Sequence, residues 1–182
     1  MPPMVRTTEF KTLGKLVRRL RTAGYEPVLV GGMALIVYGA SRVTFDTDLL
    51  TGRPGDLAAA KRLMTAVFDA GFVYITKFDA DGLPISWIDA PNVAAARVMT
   101  DGPDTCFFWN RDAEMRVDLL LDFPLEASGV LEESNSIELG ANLRLAVASL
   151  AHLAALKEIA VRDRNRPEDA LDLAFIRSKL QQ

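Results

Sequence analysis

The sequence predicts an α/β or α+β fold in which a small mixed β-sheet is flanked by α-helices. Short apolar runs bounded by glycine or proline alternate with longer segments whose apolar residues recur every three or four positions. Of the 182 residues, 49% are hydrophobic and 25% are charged, a balance that favours a folded domain with a sizeable core. Together these patterns indicate strands that carry helices.

The first part of the chain contains three predicted helices and two predicted strands. The segment "TTEFKTLGKLVRRLRTAGYE" has helical spacing, with Thr8 as its N-cap and Gly24 at its end. The run "PVLVGG" predicts a buried strand that ends in a tight turn, and "MALIVYG" predicts a short helix after that turn. The second strand is predicted in "VTFDTDLLTG". A third helix is predicted in "GDLAAAKRLMTAVFDAGF", with Asp56 as N-cap and Gly71 as terminator.

The remainder of the chain contains further strands and ends in two helices. Strand-like segments, separated by Asp-Gly and Gly-Pro turn signals, are "FVYITKFD", "PISWIDA", "TCFFWN", "MRVDLLLDFP" and a further candidate, "IELGANLRLAV". The tail predicts two helices that break at "RNRP". We expect a single domain over residues 1–182, with a core at about 24–123 and a C-terminal helical segment at about 145–182.

Composition limits where the protein works and what it binds. A net charge of −3 argues against a surface built entirely for nucleic acid, so a polyanionic partner would need a local basic patch. The single cysteine, Cys106, allows no internal disulfide, which fits a reducing compartment. The first ten residues lack an apolar signal core, and no apolar run approaches the roughly 20 residues of a membrane span. We therefore expect a cytoplasmic protein without a membrane partner.

Two aspartates in the second predicted strand are the strongest sign of chemistry. Asp46 and Asp48 are separated by one residue in an apolar run, so they project from the same face of the strand, with Cα atoms about 7 Å apart. Charged side chains are rarely buried unless they are paired or bind a metal. Two carboxylates on one strand face therefore predict a site for a hard divalent cation.

The strand "MRVDLLLDFP" offers a third carboxylate. Its alternation places Arg116, Asp118, Leu120 and Asp122 on one face. We select Asp118 because apolar residues flank it, whereas Asp122, close to Pro124, is better explained as a solvated strand end. Mg²⁺ commonly uses one or two carboxylates together with substrate phosphates, so a nucleotide could complete the coordination shell.

The twin glycines Gly31 and Gly32 predict the other half of the site. Glycine permits a sharp turn and a close approach of the backbone to a ligand, and the free amides that follow can bind phosphate. On its own the pair indicates no more than a tight turn, and it lacks the spacing of a dinucleotide fingerprint. Next to an Asp-x-Asp strand, it predicts a phosphate site beside a metal site.

The segment "GGMALIVYGASRVTFDTDLL" resembles the first motif of the nucleotidyltransferase superfamily, and most closely that of AbiEii-type toxin nucleotidyltransferases. The matching residues are Gly31, Gly32, Ala34, Arg42, Thr44, Asp46 and Asp48. The tail is similar to a later motif of that family, and its matching residues are Lys157, Ala160, Arg164, Asp169 and Asp172. The chain departs from the larger family members by ending soon after the second motif, which leaves the acceptor site open.

The resemblance implies a mixed sheet with flanking helices and Mg²⁺-dependent transfer of a nucleoside monophosphate from an NTP, with Mn²⁺ as an alternative ion. It implies that Asp46, Asp48 and Asp118 hold the metal. It also implies that Lys157 contacts the phosphates. The expected nucleotide-binding residues are Gly31, Gly32, Arg42, Thr44, Arg164 and Asp169. Without the resemblance, the charged residues of the tail would be better explained as a solvated helix junction.

The resemblance also implies a toxin-like or regulatory enzyme that modifies RNA, such as transfer RNA, and is paired with an antitoxin protein. An RNA acceptor would need a positive surface, for which the first helix offers Lys11, Lys15, Arg18, Arg19 and Arg21. Such a run is also typical of a solvated helix face. Two alternatives remain: a nucleotidyltransferase for a small molecule such as an antibiotic, and a non-catalytic module of a toxin and antitoxin pair.

Overall fold

A computed structural model describes residues 7–138, 143–164 and 166–181, which form one eight-stranded mixed sheet with helices. The strands are β1 (Val28–Val30), β2 (Asp46–Thr51), β3 (Val73–Phe78), β4 (Pro84–Ile88), β5 (Thr105–Asn110), β6 (Met115–Leu121), β7 (Asn135–Glu138) and β8 (Arg144–Val147). The helices are α1 (Thr7–Thr22), α2 (Gly31–Val37), α3 (Leu57–Asp69), α4 (Pro91–Asp101), α5 (Ala127–Glu132), α6 (Leu150–Arg164) and α7 (Pro167–Leu180). The predicted fold class is confirmed, with a larger sheet than expected.

Strand order brings the two aspartate-bearing strands together at the centre of the sheet. The order is β4-β3-β5-β6-β2-β1-β8-β7. β2 and β6 are parallel, with Asp48 opposite Asp118, while β1 is antiparallel to β2, with Val30 opposite Asp48. The turn from β1 into α2 therefore begins beside Asp48.

The two faces of the sheet have different surroundings. On one face, Cys106, Phe108 and Leu119 are fully buried. Tyr74 packs edge-on against Phe108 on this face, with 5.5 Å between the ring centroids, and the charges of Arg97 and Asp101 of α4 affect its pKa, which places α4 on the same side. Helix α4 packs against α3, and α3 packs against α1, so the three form one layer. The opposite face carries the aspartates.

Most predicted helix signals are present. The Asp56 carboxylate accepts a hydrogen bond of 2.7 Å from the Ala59 amide at the start of α3, as expected for an N-cap. Helix α1 begins at Thr7, one residue before its predicted cap, and α6 and α7 are separated within the predicted "RNRP" break. No helix in the described ranges is long and apolar enough to cross a membrane. Residues 1–6, used for the leader expectation, lie outside these ranges.

Three elements differ from the sequence prediction. Helix α4 lies between two predicted strands, in a segment for which we expected only turns. Its signals are a proline at the first helical turn, Pro91, and a left-handed Gly102 that ends it at φ +57°. The short helix α5 was also not expected. The single strand expected in "IELGANLRLAV" is instead two antiparallel strands, β7 and β8, and residues 139–142 of that segment lie outside the described residues.

Candidate active site

The carboxylates of Asp46, Asp48 and Asp118 lie together at the centre of the sheet. Each offers an oxygen, and these three oxygens lie within 4.8 Å of one another. Parallel pairing of β2 and β6 places Asp48 directly beside Asp118, and alternation along β2 adds Asp46 to the same face. The structure thus brings together the three residues that the alternation selected, and their role as metal ligands remains a prediction.

The electrostatics of this carboxylate cluster favour a bound cation. Burial, reinforced by the charges of Asp46 and Asp118, raises the pKa of Asp48 to about 7, although Lys157 and Arg116 oppose this effect. Burial also raises the pKa of Asp118, despite its contact with Arg116. A group of carboxylates that resists ionisation on its own either holds a proton or is stabilised by a positive ion.

Arg116 is the principal partner of Asp118. It donates to both carboxylate oxygens, from Nε and Nη2, each at 2.7 Å. Its guanidinium also lies over two aromatic rings, at 4.7 Å from the Phe78 centroid and 5.1 Å from the Phe107 centroid. Sequence analysis placed Arg116 on this face but gave it no role. The i, i+2 spacing from Asp118 within one strand was the signal that could have identified it.

Gly31 makes room for the carboxylate cluster. It begins α2 with φ +65°, a backbone conformation that residues with a side chain rarely adopt. A Cβ added there would lie 1.9 Å from Asp48 Oδ2. A Cβ on Gly32 would meet Arg42 Cζ at 3.0 Å and Thr44 Oγ1 at 3.1 Å. Both glycines therefore permit close packing of the turn against predicted site residues.

Thr44 orients the first aspartate of the cluster. Its hydroxyl donates a hydrogen bond of 2.7 Å to Asp46 Oδ1. This contact spans two residues and fixes the carboxylate at the point where β2 begins. Thr44 therefore orients Asp46, and its expected contact with the triphosphate stays a prediction.

The C-terminal helices contribute a second charged group, which we call the tail network: Arg42, Lys157, Arg164, Asp169 and Asp172. Lys157 Nζ lies 2.9 Å from Asp169 Oδ1 and 2.7 Å from Asp172 Oδ2. Arg42 pairs with Asp172, and Arg164 Nη2 lies 3.2 Å from Asp169 Oδ1. The network joins α6 and α7 to the segment before β2. Each catalytic, metal-binding or nucleotide-binding residue predicted from the sequence lies either in this network or around the carboxylate cluster.

Lys157 is the member of the tail network whose charge acts on the carboxylate cluster. Its side chain is 13% exposed, and its charge acts on Asp48. Burial alone would raise the pKa of Asp169, but Lys157 and the nearby arginines outweigh this effect and lower it. Asp172 was matched to the tail motif without a site role, and its i, i+3 spacing from Asp169 was the available signal. If Lys157 contacts phosphate as expected, it does so while it is also paired with the carboxylates of Asp169 and Asp172.

The donor set of the carboxylate cluster fits a divalent metal. Its ligands are carboxylate oxygens, which suit hard cations such as Mg²⁺ and Mn²⁺, and its charge exceeds that of its arginine partner. Asp118 keeps a second lone pair on each oxygen, because each accepts only one hydrogen bond from Arg116. The cluster could therefore hold the ion without losing that arginine.

Comparison with solved structures identifies the architecture. The antibiotic-resistance factor ANT(2'')-Ia, solved in complex with adenylyl-2''-tobramycin, aligns over 96% of this chain and 90% of its own, with a TM-score of 0.56 and 13% identity. The chain has the nucleotidyltransferase fold. A candidate nucleotidyltransferase from Thermotoga maritima aligns over 93% and 96%, with a TM-score of 0.54 and 16% identity.

A third similar structure is an antigenic nucleotidyltransferase-like protein from Paracoccidioides brasiliensis, which aligns over 94% of this chain and 75% of its own, with a TM-score of 0.56 and 16% identity. By sequence, the chain matches no family model and no curated protein. The likeness therefore establishes the fold, and the AbiEii-type resemblance remains a prediction.

Proposed function

We propose that this protein is a metal-dependent nucleotidyltransferase that transfers a nucleoside monophosphate from an NTP to an acceptor. The observation that supports this most is the convergence of three carboxylates within 4.8 Å, beside a glycine turn that leaves room for them. The fold shared with ANT(2'')-Ia and other nucleotidyltransferase-like structures is consistent with the same chemistry.

In this proposal, Asp46, Asp48 and Asp118 bind Mg²⁺, or Mn²⁺ in its place. When bound, the ion would supply positive charge against the phosphates and would lower the pKa of the attacking hydroxyl. Thr44 orients Asp46, and Arg116 orients Asp118. These fixed positions matter because phosphoryl transfer depends mainly on alignment and on stabilisation of charge.

The triphosphate would lie on the side of the cluster that faces α2 and α6. Gly31 and Gly32 allow the backbone to approach it, while Lys157 supplies a positive charge near Asp48. Arg42, Arg164 and Asp169 would act on the nucleotide through Lys157, since each belongs to the same tail network. The leaving pyrophosphate would then separate toward this cationic side.

We further propose that the acceptor is RNA and that the enzyme acts in the cytoplasm as a toxin-like or regulatory protein, with an antitoxin as a protein partner. This part rests on the resemblance of the two sequence motifs. The competing candidate is a small-molecule acceptor, which is favoured by the adenylylated tobramycin in the complex of ANT(2'')-Ia.

Labelling with each α-³²P NTP tests the proposal. The protein would be incubated with Mg²⁺ and, separately, with total RNA, a protein extract or an aminoglycoside. We expect Mg²⁺-dependent label in RNA with at least one NTP, none with Asp48→Asn, and normal labelling with Asp112→Asn, which alters an exposed aspartate outside the cluster. Absence of label from every acceptor would contradict the proposed activity, whereas label in the aminoglycoside alone would replace RNA with the competing acceptor.

A further inference from the structure

The sheet face that carries the carboxylate cluster continues past Asp118 as a row of aromatic side chains. Phe107 pairs with Asp118 across β5 and β6, and Trp109 pairs with Arg116. Paired residues on neighbouring strands project from the same face, so both rings lie beside the cluster. Because Trp109 also pairs with Val73 of β3, the row continues toward the edge of the sheet.

The row ends on the edge strand β4. Trp87 pairs with Ile75, which lies on the same face of β3 as Val73 two residues earlier. Trp87 remains 39% exposed, and the neighbouring Ile85 on the same face of β4 is 49% exposed. From β6 to β4 the row crosses three strand spacings, roughly 14 Å. The aromatic face is defined here by Phe78, Trp87, Phe107, Trp109, Arg111 and Arg116.

Two arginines lie on these rings. The Arg111 guanidinium is 4.2 Å from the centre of Trp87, and Arg116 covers Phe78 and Phe107. The opposite face of the same strands is the buried core, where Cys106 and Phe108 are inaccessible. Flat rings with cationic groups above them form a surface suited to planar ligands that carry negative charge.

We propose that the aromatic face binds the acceptor end of an RNA strand by stacking its unpaired bases, which places the terminal hydroxyl next to the carboxylate cluster. The inference rests on the proposed nucleotidyltransferase activity and locates its acceptor. Stacking on aromatic rings and arginine planes is how unpaired RNA is commonly held, and a length of about 14 Å suits more than one base. A polycationic aminoglycoside would meet the cation Arg111 over Trp87, whereas Arg116 is already paired with Asp118.

This assignment differs from the basic run expected on α1. Helix α1 belongs to the helix layer on the other face of the sheet, and Arg21 is engaged with Glu26, at 2.6 Å between Nη2 and Oε1. The aromatic face, in contrast, adjoins Asp118 directly. In the proposed geometry, RNA reaches the cluster from the β5 and β3 side, opposite the cationic residues that would hold the leaving pyrophosphate.

The only two tryptophans of the chain, Trp87 and Trp109, both lie on this face, so their fluorescence reports its occupancy. We would titrate the wild-type protein in Mg²⁺ with hexaadenylate RNA, with the unreactive analogue α,β-methylene ATP and with tobramycin. We expect saturable quenching by the RNA alone. The variant Trp87→Leu should raise the Kd for RNA about tenfold, and Arg111→Gln should raise it less.

Removal of charge from α1 by Lys11→Gln with Lys15→Gln serves as the matched control and should change the Kd by less than twofold. Quenching by the ATP analogue alone would assign the face to the NTP base, and quenching by tobramycin alone would assign it to a small acceptor. Equal RNA affinity in the wild-type protein and both aromatic-face variants would also overturn the inference. In Asp48→Asn, RNA should still quench the tryptophan fluorescence, but nucleotide transfer should be lost. Failure of the proposed activity would be seen separately, because the wild-type protein would then transfer no nucleotide.

Discussion

The carboxylate cluster and the tail network are both groups of charged residues close to the same turn, but their charge balance is opposite. The cluster holds three carboxylates with Arg116 as its direct arginine partner, whereas the tail network holds two carboxylates with three cations. Accordingly, the pKa of Asp48 is raised to about 7, while that of Asp169 is lowered. Burial is the largest cause of the raised pKa of Asp48 and two neighbouring carboxylates add to it, whereas at Asp169 Lys157 and the nearby arginines outweigh the effect of burial.

The comparison separates a site that lacks positive charge from one that is already neutralised. An added cation would relieve repulsion in the cluster, and it would meet repulsion in the tail network. We therefore propose the cluster, and not the tail network, as the metal site. The tail network has a different function in this account: it holds Lys157 in a fixed position beside Asp48 and fastens the C-terminal helices to the segment before β2.

The largest effect is expected from a side chain added at the turn. In Gly31→Ala, the new Cβ would collide with Asp48 Oδ2 at 1.9 Å, and alanine would be strained at φ +65°. We expect a loss of about 3 kcal/mol in the free energy of unfolding and no measurable transfer. Chemical denaturation and the labelling assay measure the two effects.

Gly129→Ala is the matched control, because an added Cβ there meets nothing within 4 Å. It should leave both measurements unchanged or slightly increase stability. If Gly31→Ala behaved like this control, close packing of the turn against Asp48 would not be required for the cluster.

The second-largest effect tests whether the tail network contributes to nucleotide transfer as well as to stability. Lys157→Met should reduce transfer about a hundredfold through loss of positive charge near the phosphates. It should also lower the free energy of unfolding by about 2 kcal/mol, because Asp169 and Asp172 lose a close partner in a largely buried site. Neither the phosphate contact that the resemblance implied for Lys157 nor a solvated helix junction led us to expect this stability cost. Lys61→Met, at an exposed lysine on α3, should change neither quantity.

A stability loss in Lys157→Met without loss of transfer per folded molecule would leave the tail network as a structural feature alone. Lys157→Arg helps to distinguish the alternatives, since it retains the charge and should recover more stability than transfer.

A pH effect of intermediate size should distinguish the two regions, because their aspartates contribute to stability with opposite signs. The pKa of Asp48 is about 7 in the folded protein and 3.8 when unfolded, so the folded state binds more protons between these values. Without metal, this group lowers the free energy of unfolding as pH rises through the window, by up to about 1.4 kcal/mol per pH unit. Asp169 has the opposite sign, because its lowered pKa contributes stability that is lost as pH falls below about 4.

Denaturation measured from pH 4 to pH 8 would reveal the Asp48 contribution as the difference between the wild-type protein and Asp48→Asn. Saturating Mg²⁺ should remove the downward slope, since the ion binds the ionised carboxylates. A slope that is the same in both proteins would show that Asp48 does not titrate in this window.

The smallest predicted effect concerns the orientation of Asp46. Thr44→Val removes the 2.7 Å hydrogen bond to Oδ1 while keeping the shape of the side chain, and should weaken Mn²⁺ affinity about tenfold. Isothermal titration calorimetry measures the change. Thr100→Val, at an exposed threonine on α4, should leave the affinity unaltered. An unchanged Mn²⁺ affinity in Thr44→Val would show that the hydrogen bond from Thr44 is not needed to orient Asp46 for metal binding.

Local sequence patterns predicted the centre of the site better than its surroundings. Alternation along two strands grouped the candidate aspartates, because the side-chain period of a strand is fixed, and the apolar flanks of Asp118 then favoured it over Asp122. The pairing of β2 with β6, which places Asp48 opposite Asp118, depends on contacts between segments about 70 residues apart. No local pattern specifies such a register, although the apolar flanks of Asp118 correctly indicated a buried strand.

The partners of the site were harder to predict. Lys157 was expected to meet phosphates, but folding brings it within 3 Å of two carboxylates on the next helix. The aromatic face could not be recognised from the sequence, because its rings come from three strands whose order differs from their order in the chain. Helix α4 was missed although Pro91 and Gly102 carried the usual signals for its start and end.

The central claim is that the carboxylate cluster binds a divalent metal together with the nucleotide. The most direct measurement is the melting temperature at pH 8 of the wild-type protein and Asp48→Asn, each with and without Mg²⁺ plus α,β-methylene ATP. We expect the ligands to raise the melting temperature of the wild-type protein and not that of the variant, because binding to the folded state alone stabilises it. Without ligands, the variant should melt at or above the wild-type temperature, since one repelling charge is gone. An equal ligand-induced shift in both proteins would contradict the assignment of Asp48 to the metal site.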